Sequence, residues 1–98
     1  MIQTISRTSF LAAIEKGIAD AHGADATPRF WPRNWRSKLR EVGKTATETS
    51  ITLFDSCPIT LAGFAEFPME DARAWAFIDG FDGALRDEYR PGNVRVVG

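Results

Sequence analysis

Cysteine and histidine are almost absent from this chain of 98 residues, which contains one of each, Cys57 and His22. A single cysteine cannot form an intramolecular disulfide, so a reducing, cytoplasmic setting is expected. Two residues of these types also fall short of the four ligands of a Cys/His zinc site, and no metal site is expected. Catalysis by a Cys57–His22 pair is disfavoured, because the fold would have to join the two residues and add a third group that orients the imidazole.

Long apolar runs and phosphate-binding loops are absent as well. No segment approaches the roughly eighteen apolar residues of a membrane-spanning helix, so no membrane partner is expected. The glycines of Gly80-Phe81-Asp82-Gly83 lie within a helical pattern and do not follow a strand. No cofactor is therefore expected, and an enzyme is disfavoured. With 44% apolar and 26% charged residues, the composition is typical of one globular domain over residues 1–98.

The longest helical pattern runs from Pro68 to Tyr89. Its apolar residues share an arc of roughly 120°, the width of a core-facing stripe. They are Ala74, Phe77, Ile78, Phe81, Ala84 and Leu85. The opposite face carries small residues, namely Ala72, Ala76, Gly80 and Gly83. This face predicts a close approach by another backbone, either within the domain or from a second copy of the chain that contacts Ala72, Ala76 and Gly80.

Acidic residues and a tryptophan lie between the two faces of this helix: Asp71, Trp75, Asp79 and Asp82. Residues 66–88 contain seven acidic and two basic residues, which gives a net charge of −5. Either this acidic side is a solvated flank, or it occupies a basic groove on another protein. Trp75 is accordingly either the margin of a wide core or an exposed anchor for a partner.

The segment 29–44 holds half of the positive charge, with six basic residues against one acidic residue and a net charge of +5. Pro32 and Gly43 predict the start and the end of a short helix. One side of its helical wheel carries Trp31, Trp35, Leu39 and Val42. The other side carries Arg33, Arg36 and Arg40 at a spacing of i, i+3 and i+7.

Three interpretations of this basic segment remain open. Arginines neutralise phosphates and exposed aromatics stack on bases, which favours nucleic acid, although the isoelectric point of 5.8 disfavours it. Arginine and tryptophan also dominate many protein interfaces, which favours a protein partner. In the third interpretation the tryptophans are internal and the arginines are solvated. The candidate partner-binding residues of both charged segments are Arg29, Trp31, Arg33, Arg36, Arg40, Asp71, Trp75, Asp79 and Asp82.

The remaining patterns predict a strand at Met1–Ile5, a helix over Arg7–His22, a hairpin of strands at 45–54 and 59–64, and a final strand at Val94–Val97. The order is roughly (β)ααββαβ, a small α+β domain with helices packed on one face of a small antiparallel sheet. The predicted core is Phe10, Ile14, Ile18, Trp35, Leu39, Ile51, Leu53, Phe77, Phe81 and Leu85.

The expected function is binding and not catalysis. We expect a small non-enzymatic protein-binding domain that acts as an inhibitor or adaptor of a macromolecular target. In size and charge segregation the chain is similar to small anti-defence proteins of phages and mobile elements, including anti-CRISPR proteins, but no motif carries this similarity. The alternative is a nucleic-acid-binding or transcription-regulating protein that uses residues 29–44.

Overall fold

The computed structural model describes residues 3–24, 31–46, 52–53 and 72–98. Its elements are β1 (Gln3–Ser6), α1 (Arg7–His22), α2 (Trp35–Thr45), β2 (Thr52–Leu53), α3 (Ala72–Leu85) and β3 (Gly92–Val97). They form the predicted small α+β domain. The predicted strand at 59–64, Cys57 and the candidate residues Arg29 and Asp71 lie outside the described residues.

The sheet places β3 in the centre, with β1 and β2 on its two sides. β1 pairs with β3 in parallel, so that Ile5 lies opposite Val96. The two-residue β2 pairs with β3 in the antiparallel sense. The prediction of an antiparallel sheet is therefore wrong for the longer pair. A parallel pair needs a long crossover connection, whereas an antiparallel pair can be joined by a short turn. The connection between β1 and β3 is long and includes the helices, so it permits the parallel pairing.

Along β1 and β3, successive side chains alternate between a buried and an exposed face of the sheet. Ile5, Val94 and Val96 belong to the same buried cluster as the helices, whereas Thr4 and Arg95 are exposed. β1 then passes directly into α1. The hydroxyl of Ser6 accepts a hydrogen bond of 3.1 Å from the backbone N–H of Ser9, so Ser6 caps the N-terminus of this helix.

α1 packs against both other helices. Towards α3, the rings of Phe10 and Phe81 meet edge to face at 5.6 Å, and Phe77 stacks on Phe81 at 5.9 Å. Eight of the ten predicted core residues are buried: Phe10, Ile14, Ile18, Trp35, Leu39, Phe77, Phe81 and Leu85. The side chains of Ile51 and Leu53 lie outside the described residues.

α2 runs antiparallel to α1. Near the end of α2, the Arg7 guanidinium donates hydrogen bonds to the carbonyls of Gly43 at 3.0 Å and Ala46 at 2.9 Å. A cation here complements the negative end of the α2 dipole and satisfies carbonyls that lack helical partners. The helix continues to Thr45, past its predicted end at Gly43. Gly43 is instead a packing position, because a Cβ there would lie 2.6 Å from the Leu11 side chain.

The small-residue face of α3 meets α1 at one point. Gly80 is buried, and a Cβ on it would lie 2.9 Å from the backbone oxygen of Lys16 and 2.5 Å from the Asp20 carboxylate. The predicted close approach is therefore internal at Gly80. At the start of the same face, Ala72 is exposed and Ala76 is half-buried. Of the three residues predicted to contact a second copy of the chain, Gly80 is covered by α1, and only Ala72 and Ala76 are accessible.

Candidate interaction surface

Trp31 and Trp35 form an aromatic pair at the start of α2. Their ring centroids lie 5.3 Å apart in an edge-to-face arrangement, and each residue is 5% exposed. The Arg73 guanidinium of α3 lies 5.2 Å from the Trp35 ring and 5.6 Å from the Trp31 ring. Such cation–π contacts contribute about 0.5–2 kcal/mol each. Trp31 is thus a core residue that ties α3 to α2, and we remove it from the candidate binding surface.

Of the three predicted arginines, Arg36 and Arg40 lie on α2 and have partners, whereas Arg33 precedes the helix. Arg33 is exposed. Arg40 donates two hydrogen bonds to the Glu15 carboxylate, at 2.8 and 3.2 Å, and this hydrogen bonding raises the pKa of Arg40 above its ordinary value. Arg36 donates to Nδ1 of His22 and lies 4.5 Å from the centroid of the Trp35 ring. The two half-buried arginines therefore face α1.

Arg36 and Arg40 line a groove of about 260 Å³ between α1 and α2. The described residues that line it are Glu15, Ile18, Ala19, His22, Arg36 and Arg40. The four residues from α1 are spaced i, i+3, i+4 and i+7, which places them on one helix face. This spacing is readable in the sequence, but nothing in the sequence pairs that face with α2. The Arg36 guanidinium, which has no carboxylate partner among the described residues, makes the groove a candidate site for an anionic group.

Trp75 lies on the outer face of α3, which we define as Ala72, Trp75, Ala76, Asp79, Asp82 and Gly83. It is 53% exposed, and among the large hydrophobic side chains of the described residues only Val97, at 43%, is comparably exposed. Ala72, Asp79 and Gly83 are exposed too. This exposure agrees with the interpretation of Trp75 as an exposed anchor, which stays a prediction.

Asp82 is the half-buried acid of this outer face. Its Oδ1 atom is buried and has no hydrogen-bond partner among the residues that the structure describes. Burial raises the pKa of Asp82 above its ordinary 3.8, Asp79 adds to the increase, and Arg86 opposes it. Asp82 is therefore less suited than the exposed Asp79 to present a negative charge to a partner.

Metal-ligand clusters and membrane-spanning helices are absent from the described ranges. No three His, Cys, Asp or Glu side chains in them are arranged to hold a metal ion. No helix in them has the length and apolar character needed to span a membrane. No protein-family model, no curated protein and no solved structure matches this chain. The function is therefore inferred from the exposed and charged side chains described above.

Proposed function

We propose that this domain is a non-enzymatic protein-binding domain, an inhibitor or an adaptor, and that Trp75 is the central anchor of its interface. The exposure of Trp75 on the outer face of α3 supports this proposal. Tryptophan is enriched among the residues that dominate binding energies at protein interfaces. Covering the exposed part of the indole is worth on the order of 2–3 kcal/mol at roughly 25 cal/mol per Å².

The neighbours of Trp75 leave its ring accessible to a partner. Ala72 and Ala76 are too short to cover the indole, and Asp79, one turn further along α3, is exposed. A partner that matches this arrangement offers an apolar pocket with a Lys or Arg side chain at its rim. This charge complementarity would set the orientation and the rate of association more than the affinity.

The fold itself does not account for an exposed tryptophan at this position. The inner face of α3 closes the core through Phe77, Ile78 and Phe81, which are all buried. Trp75 thus exposes apolar surface that adds little to stability. A surface of this kind is consistent with an inhibitor or adaptor, and we include the anti-defence proteins of phages and mobile elements within the proposal.

The proposal is tested by quantitative affinity capture with three forms of the protein. Wild type, Trp75→Ala and Val97→Ala are immobilised at equal density and exposed to the same lysate, and retained proteins are measured by mass spectrometry. We expect at least one protein that wild type and Val97→Ala retain equally and Trp75→Ala loses. Val97 is the matched control because it is exposed and apolar but lies on β3. Equal retention by all three forms would contradict the proposal.

Nucleic-acid binding is the second candidate, and the exposed Arg33 beside Arg36 favours it. Two observations weigh against it: Trp31 and Trp35 are buried and cannot stack on bases, and Arg40 is neutralised by Glu15. A fluorescence titration with duplex DNA decides between the candidates. Binding through phosphates would weaken with salt at a log–log slope of about −0.9 per neutralised phosphate. We expect no such binding at physiological salt, and tight binding with that slope would favour this second candidate.

A further inference from the structure

The groove between α1 and α2 has an apolar floor and two polar ends. Ile18, which is 4% exposed, and the exposed Ala19 lie on the α1 side. Glu15 and His22 mark the two ends, about 10 Å apart along α1 at 1.5 Å per residue. Glu15 is bridged to Arg40, and His22 is bridged to Arg36.

The two ends differ in charge. At the Glu15 end the carboxylate and the Arg40 guanidinium neutralise each other. At the other end neither partner of Arg36 is a carboxylate. A guanidinium can only donate hydrogen bonds, so the Nδ1 atom of His22 is the acceptor of this one. The second partner is the Trp35 ring. Among the described residues no carboxylate pairs with Arg36, so within them the charge of this guanidinium is not compensated by an ion pair.

We propose that this groove binds an acidic side chain, Asp or Glu, of the protein partner. The carboxylate would pair with the Arg36 guanidinium, and the adjoining apolar part of the partner would contact Ala19, which is exposed beside the buried Ile18. The inference rests on the proposed function in taking a protein as the partner. It adds a second contact, with its own chemistry, to the anchor at Trp75.

The geometry favours a carboxylate over a phosphate chain. A planar guanidinium fork matches a carboxylate, and a single uncompensated charge suits a single negative charge. A polyphosphate backbone would bring further charges towards Glu15, which would repel them. Arg36 is also held in place by His22 and Trp35 before any ligand arrives, which lowers the entropy cost of binding.

NMR titration of the isotope-labelled full chain tests the inference directly. The probe is a short peptide with blocked ends that contains one Glu beside one Leu. We expect the Nε–H signal of Arg36, the amide of Ala19 and the methyl groups of Ile18 to shift in a saturable way. A millimolar dissociation constant is expected of one ion pair with a small apolar contact. The matched peptide with Gln in place of Glu should bind at least about tenfold more weakly.

Two variants locate the site, and a third serves as their control. Arg36→Gln removes the cation, and Ala19→Glu places a competing carboxylate beside it at an exposed helical position that tolerates the change. Each should weaken binding of the Glu peptide at least about tenfold. Arg33→Gln removes an exposed arginine three residues earlier and should leave binding unchanged. Equal shifts with the Glu and Gln peptides, no saturable shifts at all, or equal binding by Arg36→Gln and wild type would each overturn the inference.

Two further experiments separate this inference from phosphate binding and from the proposed role of Trp75. A single-stranded DNA oligonucleotide and inorganic phosphate are titrated under the same conditions, and we expect neither to bind at the Arg36 signal more tightly than the Glu peptide. Tighter binding by either would overturn the choice of a carboxylate. Trp75→Ala should bind the Glu peptide as wild type does. Failure of the capture experiment through Trp75 therefore leaves this result intact, and failure of the groove leaves the Trp75 result intact.

Discussion

The two faces of α3 share one helix but have opposite roles. The inner face places Phe77, Gly80 and Phe81 against α1, with no exposed surface on either ring. The outer face leaves Trp75 more than half exposed between residues too small or too short to cover it. The comparison teaches that aromatic content alone does not identify a core. What distinguishes the two faces among the described residues is that α1 lies against the inner one.

The largest expected effect is the loss of stability when the packing of the inner face is disrupted. Phe81→Ala removes a ring that contacts both Phe10 and Phe77, and it should lower the free energy of unfolding by about 3–5 kcal/mol. Denaturant unfolding measures this loss. Trp75→Ala is the control on the same helix and should change stability by less than about 0.5 kcal/mol. A loss below about 1 kcal/mol for Phe81→Ala would remove this face from the core.

The second effect belongs to the outer face and concerns binding. With a captured partner in hand, Trp75→Ala should weaken the complex by about 2 kcal/mol or more, because truncating a central anchor exposes its pocket. Isothermal titration calorimetry gives the affinity, and Val97→Ala should bind as wild type does. An unchanged affinity for Trp75→Ala would show that the captured protein binds elsewhere.

The third prediction compares two glycines, one on each face of α3. Gly80→Ala should destabilise the fold by about 1–3 kcal/mol, because the added Cβ meets the Lys16 backbone oxygen, which cannot move away as a side chain can. Gly83→Ala meets nothing within 4 Å. It should stabilise the fold by about 0.5–1 kcal/mol through helix propensity. Thermal unfolding of the pair measures both, and shifts of equal sign would contradict the packing described for Gly80.

The smallest effect comes from Asp82. Because burial raises the pKa of Asp82, the folded chain binds its proton more tightly than the unfolded chain does. Stability should therefore fall as the pH rises from the ordinary 3.8 through the raised pKa. Asp82→Asn should flatten this part of the pH–stability curve and be more stable than wild type at neutral pH. Asp87→Asn, at an exposed position, is the control, and equal curves for Asp82→Asn and wild type would contradict this account.

Local patterns in the sequence predict most of the elements and the core. α1 and α3 each show a helical apolar stripe, and the predicted core residues of both stripes are buried, whereas Ala84 of the α3 stripe is exposed. The parallel pairing of β1 with β3 is not predictable in this way. It depends on contacts between the two ends of the chain, such as the two hydrogen bonds between Gln3 and the backbone of Arg90.

The candidate site is predicted less completely than the fold. The basic row of α2 is visible in the sequence, but its division into solvated and partnered arginines depends on Glu15 and His22, which α1 brings close only in the folded chain. Trp75 is ambiguous in the sequence because it lies at the edge of the apolar stripe. Its exposure depends on how far α1 extends over α3, which no local pattern determines.

Site-specific photocrosslinking tests the central claim, that the outer face of α3 is the binding surface, most directly. A photoreactive phenylalanine analogue replaces Trp75 in one form of the protein and Val97 in another, and each form is irradiated with the captured partner. The account predicts a crosslinked product from position 75 that mass spectrometry maps to an apolar pocket with a Lys or Arg at its rim, and none from position 97. A crosslink from position 97 alone, or equal crosslinking from both positions, would contradict it.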